Sequence, residues 1–427
     1  MTLVKTSILS FIATAIKMIA GLVINKAVAV YIGPAGLALV GQFQNFSQLV
    51  MTAAQGAINS GVTKYAAEYG KDNDRIPILF STAAIISLFS SVAVGTGIVL
   101  FSNYASLHFL KSEDYSYVFV IFGFTIVLFV INNLLLSILN GLKEIKAWVM
   151  INIIQSIYSL IFTTLLIVFL GLDGALIALV TNQSVIFLIV LWMLRKHQVI
   201  KLSNFKCAFD KPEAKKLGGF ALMTAITMLT VPVSLIIVRE IIIRSGSLEE
   251  AGYWQAMWYM SLMYLMVFMT VIKIYFLPKL SELLQPSQIR NELINGFILF
   301  LPILIVLFVV IYYLRDYLLI ILFSPEFQEV SDLFYWQLIG DFFKLAGTFF
   351  GILLAAKAKH FRVILVNVLF SISFVIFAYF YYADIGIEGV VFAHFVNNVF
   401  YFVFVILISL DLVYGKQKFS VNNNTDL

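Results

Sequence analysis

The sequence predicts an all-α membrane protein of about twelve transmembrane helices, arranged as two six-helix lobes around a central cavity. Three observations carry that expectation. Of 427 residues, 61% are hydrophobic and 12% charged, roughly half the charged fraction of a soluble domain, and the mean hydropathy is +0.98. Apolar runs such as 78–101 and 148–170 last about twenty residues, the length that crosses a bilayer as a helix, whereas a barrel strand would alternate over about ten. A lysine-rich stretch, Arg195 to Lys216, interrupts the chain with a similar set of runs on either side.

Apolar runs between glycine, proline and charge clusters give spans near 7–31, 37–60, 78–101, 116–139, 148–170, 174–194, 217–241, 252–277, 293–314, 332–355, 362–382 and 387–410. The first continues to Tyr31 and is followed at once by others, so it reads as a retained helix and not a cleaved signal. With a cytoplasmic N-terminus, most Lys and Arg fall on the cytoplasmic side and only Lys111, Arg244 and Arg315 lie outside, the bias that sets orientation. Both termini are then cytoplasmic. Basic residues spread over short loops explain the net charge of +5 without nucleic acid. The lone Cys207 excludes a disulfide framework.

The predicted organisation is an N-terminal lobe 1–194, a basic cytoplasmic linker 195–216, a C-terminal lobe 217–412 and a polar cytoplasmic tail 413–427. Thr14 to Met18 and Thr224 to Met228 share four of five residues, and the two longest outer connections, Ser102–Tyr115 and Arg315–Ser331, follow spans 3 and 9. Duplicated units of six spans keep one orientation and are related by an axis along the membrane normal.

Polar residues at helical spacing mark candidate cavity faces. In span 2, Asn45, Gln48, Thr52, Gln55 and Asn59 recur at steps of three and four and form one continuous stripe. In span 1, Ser7, Ser10, Thr14, Lys17 and Gly21 do the same, with Lys17 about 15 Å into the segment. A lysine facing lipid there costs at least about 2.5 kcal/mol, so it faces a substrate cavity or an interhelical partner. In span 10, Gln337, Asp341, Lys344 and Thr348 share a face. Asp341 and Lys344 either neutralise each other at i, i+3 or line the cavity, with Asp341 as a carrier of a coupling ion. Arg239 and Glu240 lie at the outer end of span 7 beyond Pro232, which would kink that helix; snorkelling is the simpler account of Arg239 and a cavity role the alternative. Snorkelling is also expected of Lys26 and Lys273. His394, near Asn397, Asn398 and Tyr401, is expected as a satisfied interhelical donor, with ion coupling as the alternative. Asn152, Gln155, Ser159 and Thr163 in span 5 read as hydrogen-bond glue or cavity lining.

The chain has no Walker-type loop, no zinc-ligand cluster and no Gly-x-Ser-x-Gly turn. Its outer connections are too short to carry the catalytic residues of a glycan polymerase. No catalytic residue, metal or cofactor is expected, and the reading is of a transporter and not an enzyme.

Gly33-Pro34-Ala35-Gly36-Leu37, Gly61-Val62-Thr63-Lys64-Tyr65, Phe276-Leu277-Pro278 and Trp336-Gln337-Leu338-Ile339-Gly340-Asp341, in that order over nearly the whole chain, resemble the Wzx flippases. The resemblance is closest to the branch that includes the lipid III flippase of enterobacterial common antigen synthesis. It implies membership of the multidrug, oligosaccharidyl-lipid and polysaccharide exporter superfamily. The implied activity is movement of undecaprenyl-pyrophosphate-linked oligosaccharide units from the cytoplasmic to the periplasmic leaflet of the bacterial inner membrane, by alternating access. Lys17 and Lys344 are then the expected pyrophosphate contacts, and Asn45, Gln48, Gln55 and Gln337 the sugar contacts, with Asn59 and Arg239 in the same cavity. Partners implied are membrane lipid, the glycan polymerase and the chain-length regulator. The 40 Phe and 20 Tyr, with many Ile, Asn and Lys, fit an AT-rich gene and favour an O-antigen unit over lipid III. A multidrug antiporter of the same superfamily is the alternative, disfavoured because the first six spans carry no carboxylate outside Asp173.

Overall fold

The computed structural model describes residues 3–71, 73–195 and 200–415, excepting the side-chain surroundings of 3–10 and 202. Ser7, Ser10, part of the basic linker and the tail from Lys416 lie outside that description. Among the described residues the regular elements are all helices. Its helices are α1 Leu3–Tyr31, α2 Gly33–Ala54, α3 Asn59–Tyr69, α4 Arg75–Leu100, α5 Ser102–Leu110, α6 Ser116–Gly141, α7 Ile145–Leu194, α8 Lys211–Ser245, α9 Leu248–Glu282, α10 Pro286–Leu322, α11 Phe334–Ala356, α12 His360–Ile385, α13 Ile387–Leu407 and α14 Leu410–Tyr414.

Among the described residues, ten helices are long and apolar enough to cross a membrane. One of them, α7, is two spans joined at a sharp turn, and α2, 22 residues long, is the remaining crossing, so the twelve expected spans are present. α2 is more polar than the others because much of it is buried in protein: Leu37, Ala38 and Phe43 are wholly inaccessible. It packs against α8 and α4, so it presents little surface to lipid.

The chain forms two compact units, Met1–Ala256 with Asp316–Ser331, and Met257–Arg315 with Asp332–Leu427. In the first, α1 packs on α7, α4 on α6 and α2 on α8. Phe43, Phe119 and Phe122 form its aromatic centre, the first two edge to face at 5.3 Å. The segment 316–331 joins this unit through Phe323, Phe327 and Val330, all fully buried, with Phe327 against the Tyr253 ring. In the second unit, α11 and α12 pack on α13, and Phe276, Phe297 and Phe349 form a core.

Turns recur in the two halves. Lys143, before α7, and Ala358, before α12, both take a left-handed φ, 59° and 53°. Further along, Gly171 turns α7 at φ 58°, ψ −128°, and Gly386 joins α12 to α13 at φ 62°, ψ −143°. Each opens a Gly-x-acid-Gly run, Gly171-Leu172-Asp173-Gly174 and Gly386-Ile387-Glu388-Gly389. A side chain on the second glycine would meet a backbone oxygen of the preceding helix, Leu166 at 1.9 Å or Tyr381 at 2.0 Å. Positive φ combined with so negative a ψ is a conformation that only glycine adopts without strain.

One expectation is corrected. The polar stripe of the second span is not one helix: α2 ends at Ala54, Gly56 and Ala57 take φ of 62° and 51°, and Asn59 begins α3. The break keeps its own connection, since Asn59 Nδ2 donates to Gln55 Oε1 at 2.6 Å. Lys26 has partners within the protein. Its Nζ donates to the carbonyl oxygens of Ile320, at 2.8 Å, and Phe323, capping the end of α10, where unpaired carbonyls and the helix dipole favour a cation.

Gly171→Ala and Gly386→Ala should each destabilise the protein by about 1–3 kcal/mol. Gly97→Ala, where an added Cβ meets nothing within 4 Å, should be neutral or slightly stabilising. Thermal unfolding midpoints of the detergent-solubilised variants check this.

Candidate functional site

Two buried polar clusters stand out, one in each unit. In the first, α8 carries Arg239 with 0% exposure. Its Nη1 donates to Gln42 Oε1 on α2 at 2.7 Å, its Nη2 donates to Gln255 Oε1 on α9, and the Trp254 ring lies 5.5 Å from the guanidinium carbon. Snorkelling is therefore excluded. The planar fork lets Arg239 reach two acceptors at once, and the two glutamines are themselves buried. Gly41 makes room for this arrangement: a Cβ there would fall 2.4 Å from the Gln255 carboxamide. α8 runs through Pro232 and Arg239 to Ser245 as one helix, and Glu240 joins Lys111 at 2.6 Å and Arg244 at 2.6 Å.

The second cluster centres on Asp341 of α11, also 0% exposed. Its Oδ2 accepts from Ser261 Oγ and Tyr264 Oη on α9 and from Gln337 Nε2 at 3.3 Å. Its Oδ1 lies 2.9 Å from His394 Nε2 on α13. With a carboxylate as acceptor the histidine proton sits on Nε2, which leaves Nδ1 to accept from Asn398 Nδ2 at 3.2 Å. Gly340 permits the close approach of α11 and α13, since a Cβ there would meet His394 Cδ2 at 2.6 Å. Trp336 closes the outer side against Phe392 and Phe395.

Of the two alternatives for Asp341 and Lys344, the direct ion pair is not formed. The ionic partner of Asp341 is His394, and Lys344 Nζ lies over the Trp258 ring, 5.0 Å from its centroid. A partly buried ammonium on an indole face is held by the ring quadrupole, so Lys344 keeps its own counterpart while Asp341 keeps another. His394 is a bonded interhelical residue, as its neighbours suggested.

The remaining candidates lie on α1, α2 and α3. Lys17 is exposed on α1, Asn45 is half-buried, Gln48 is exposed, and Gln55 and Asn59 are half-buried and bonded to each other. Thr52 donates back to the Gln48 carbonyl. In α7, Asn182 donates to Ser159 across the Gly171 turn, the interhelical bond expected of the span 5 stripe. Among the described residues no group of His, Cys, Asp and Glu is arranged to hold a metal ion.

Sequence reading missed Gln42, Trp254, Gln255, Ser261 and Tyr264. Gln42 stands one step of three before Asn45, so extending that stripe backwards reaches it. Ser261 and Tyr264 are i, i+3 in an otherwise apolar span, a short polar face.

The fold is that of a polytopic, all-helical membrane protein. It is similar to an inward-facing multidrug resistance MATE transporter of the MOP superfamily, with TM-score 0.78 and 14% identity over 93% of this chain and 95% of the other. It is likewise similar to the lipid II flippase MurJ in an inward closed conformation, with TM-score 0.76 and 16% identity over 95% and 90%. Residues 3–284 match the family described as polysaccharide biosynthesis protein, and the chain belongs to that family. It is 29% identical over 402 residues to the lipid III flippase of Escherichia coli (strain K12), covering 94% of this chain and 97% of that protein. These relatives are transporters and not enzymes, in agreement with the sequence reading.

His394→Ala should destabilise the protein by about 3–5 kcal/mol, because it strands a buried carboxylate, and His394→Gln should recover part of that loss by donating to Asp341. Gly41→Ala and Arg239→Lys should each lower the unfolding midpoint, and together cost less than their sum because both act on the Arg239–Gln255 bond. A double-mutant cycle on thermal midpoints reads this out.

Proposed function

We propose that this protein is a flippase that carries an undecaprenyl-pyrophosphate-linked oligosaccharide from the cytoplasmic to the periplasmic leaflet of the bacterial inner membrane by alternating access. The observation that carries this reading is the likeness to the lipid III flippase along nearly the full length of both chains. The positive-inside bias supports cytoplasmic termini.

An amphiphile of this kind has a head group that cannot enter hydrocarbon unaided, because its charges and hydroxyls would lose their water. Lys17, exposed on α1 at the depth of the bilayer centre, is the residue we assign to the anionic pyrophosphate, as a compact point charge. Lys344 is the second candidate, able to leave the Trp258 face for a stronger anion. Asn45, Gln48, Gln55, Asn59 and Gln337 supply amides for sugar hydroxyls. The Asp341–His394 pair is assigned to coupling: a proton taken up by Asp341 would remove the acceptor that holds His394, loosening α11 from α13.

For the glycan, we favour an O-antigen unit on compositional grounds; identity of only 29% to the lipid III flippase agrees with a different head group. Lipid III itself is the second reading, favoured by that same relative. The polymerase and chain-length regulator are the proposed partners downstream.

Deleting the gene in its host should trap the lipid-linked unit on the cytoplasmic side, out of reach of a probe confined to the periplasm, with the wild-type chain restoring access and the trapped glycan giving the substrate. Normal periplasmic delivery of every lipid-linked unit would overturn the assignment. In the complemented strain, Lys17→Ala should impair delivery more than Lys17→Arg at equal membrane abundance, and Asp341→Asn should lower delivery at least tenfold. Full activity of both Lys17 variants would remove that residue from the mechanism.

A further inference from the structure

Away from both clusters, the first unit carries a cavity of about 680 Å³ among α4, α6, α7 and the start of the basic linker. Its volume lies within the range of about 300–1,000 Å³ typical of small-molecule sites. Leu134, Leu135, Phe187 and Leu194 form a buried floor, while Leu88 and Leu191 at its edge are about half exposed. The polar residues lining it are Arg195 and Lys201, both exposed. Arg195 stacks on the Trp192 ring at 4.7 Å, and among the described residues neither cation has a carboxylate partner.

Residues 205–210 of the linker are held against α4. Phe205 stacks on Phe80 at 5.5 Å, the Cys207 amide donates to Ser81 Oγ at 3.0 Å, and the Asp210 amide donates to Thr82 Oγ1 at 3.2 Å. Arg195 and Lys201 therefore stand at a built rim, on the side of the bundle that the positive-inside rule assigns to the cytoplasm.

An apolar groove with two cations among its lining residues matches a molecule with a hydrocarbon chain and an anionic head. We propose that this groove binds an anionic phospholipid of the cytoplasmic leaflet, one acyl chain lying along Leu134, Leu135 and Phe187 and the phosphate against Arg195 and Lys201. Basic pockets between spans on the cytoplasmic side recognise such head groups. The leaflet supplies this ligand at high local concentration, which favours it over a scarce polyprenyl lipid by mass action. Bound there, the lipid covers Ile200 and Phe205 and holds the start of the linker between the two halves of the chain.

The test uses the full-length protein, extracted from vesicles of equal phosphatidylglycerol and phosphatidylethanolamine, with co-purifying lipid quantified per protein by mass spectrometry. The wild type should retain phosphatidylglycerol in excess. Arg195→Gln and Lys201→Gln should each lower the ratio about fivefold, while Lys215→Gln, an exposed linker lysine outside the groove, should leave it unchanged. Ala84→Phe, which fills the slot, should abolish the excess in protein that still elutes as a single species. An unchanged ratio in the Arg195/Lys201 double variant, or an equal loss in Lys215→Gln, would overturn the proposal. So would displacement of phosphatidylglycerol by an equimolar polyprenyl phosphate, which would make the groove a site for the transported lipid's tail.

Discussion

Within a membrane-spanning bundle a polar side chain has no bulk water to turn to, and the cost of leaving it unpaired is several kilocalories per mole. Both buried clusters are built around that constraint. Arg239 is held by two neutral amides and an indole face, and Asp341 by four side chains on α9, α11 and α13. Glycines set beside them, Gly41 and Gly340, let the helices come close enough for those bonds to form. Charge placement and helix packing are one problem here, solved by the same few residues.

The two clusters differ in kind. An arginine stays charged at any physiological pH, so its amide cage is a permanent structural fixture. A carboxylate bonded to an imidazole can exchange a proton with it, and the partners of Asp341 lie on separate helices. The first arrangement fastens elements together; under the proposed coupling role the second would be rewritten by one proton.

The spans were legible because run length is a direct consequence of bilayer thickness, and the turn after span 5 announced itself through Gly171-Leu172-Asp173-Gly174. The break between α2 and α3 was not legible, since polar residues kept helical spacing straight through Gly56 and Ala57 and periodicity cannot report a change of φ. For the sites, spacing along one helix found Asp341, Gln337, Arg239 and His394. It offered Lys344 as one possible partner of Asp341 and did not reach His394 as another, because neighbours at i, i+3 are visible in a sequence and a histidine on a later helix is not. Gln255, Ser261 and Tyr264 were missed for the same reason: their importance comes from what faces them.

The segment 316–331 belongs to the first unit, although the chain on both sides of it belongs to the second. Phe323 and Phe327 are buried there, and Lys26, from the first helix made, caps the carbonyls at the end of α10. During synthesis the N-terminal half can therefore insert its helices early but cannot finish its packing until the ribosome has passed residue 331. Half-molecules made separately would be unequal partners: the first would lack a piece of its own core, and the second would carry that piece as an exposed apolar loop.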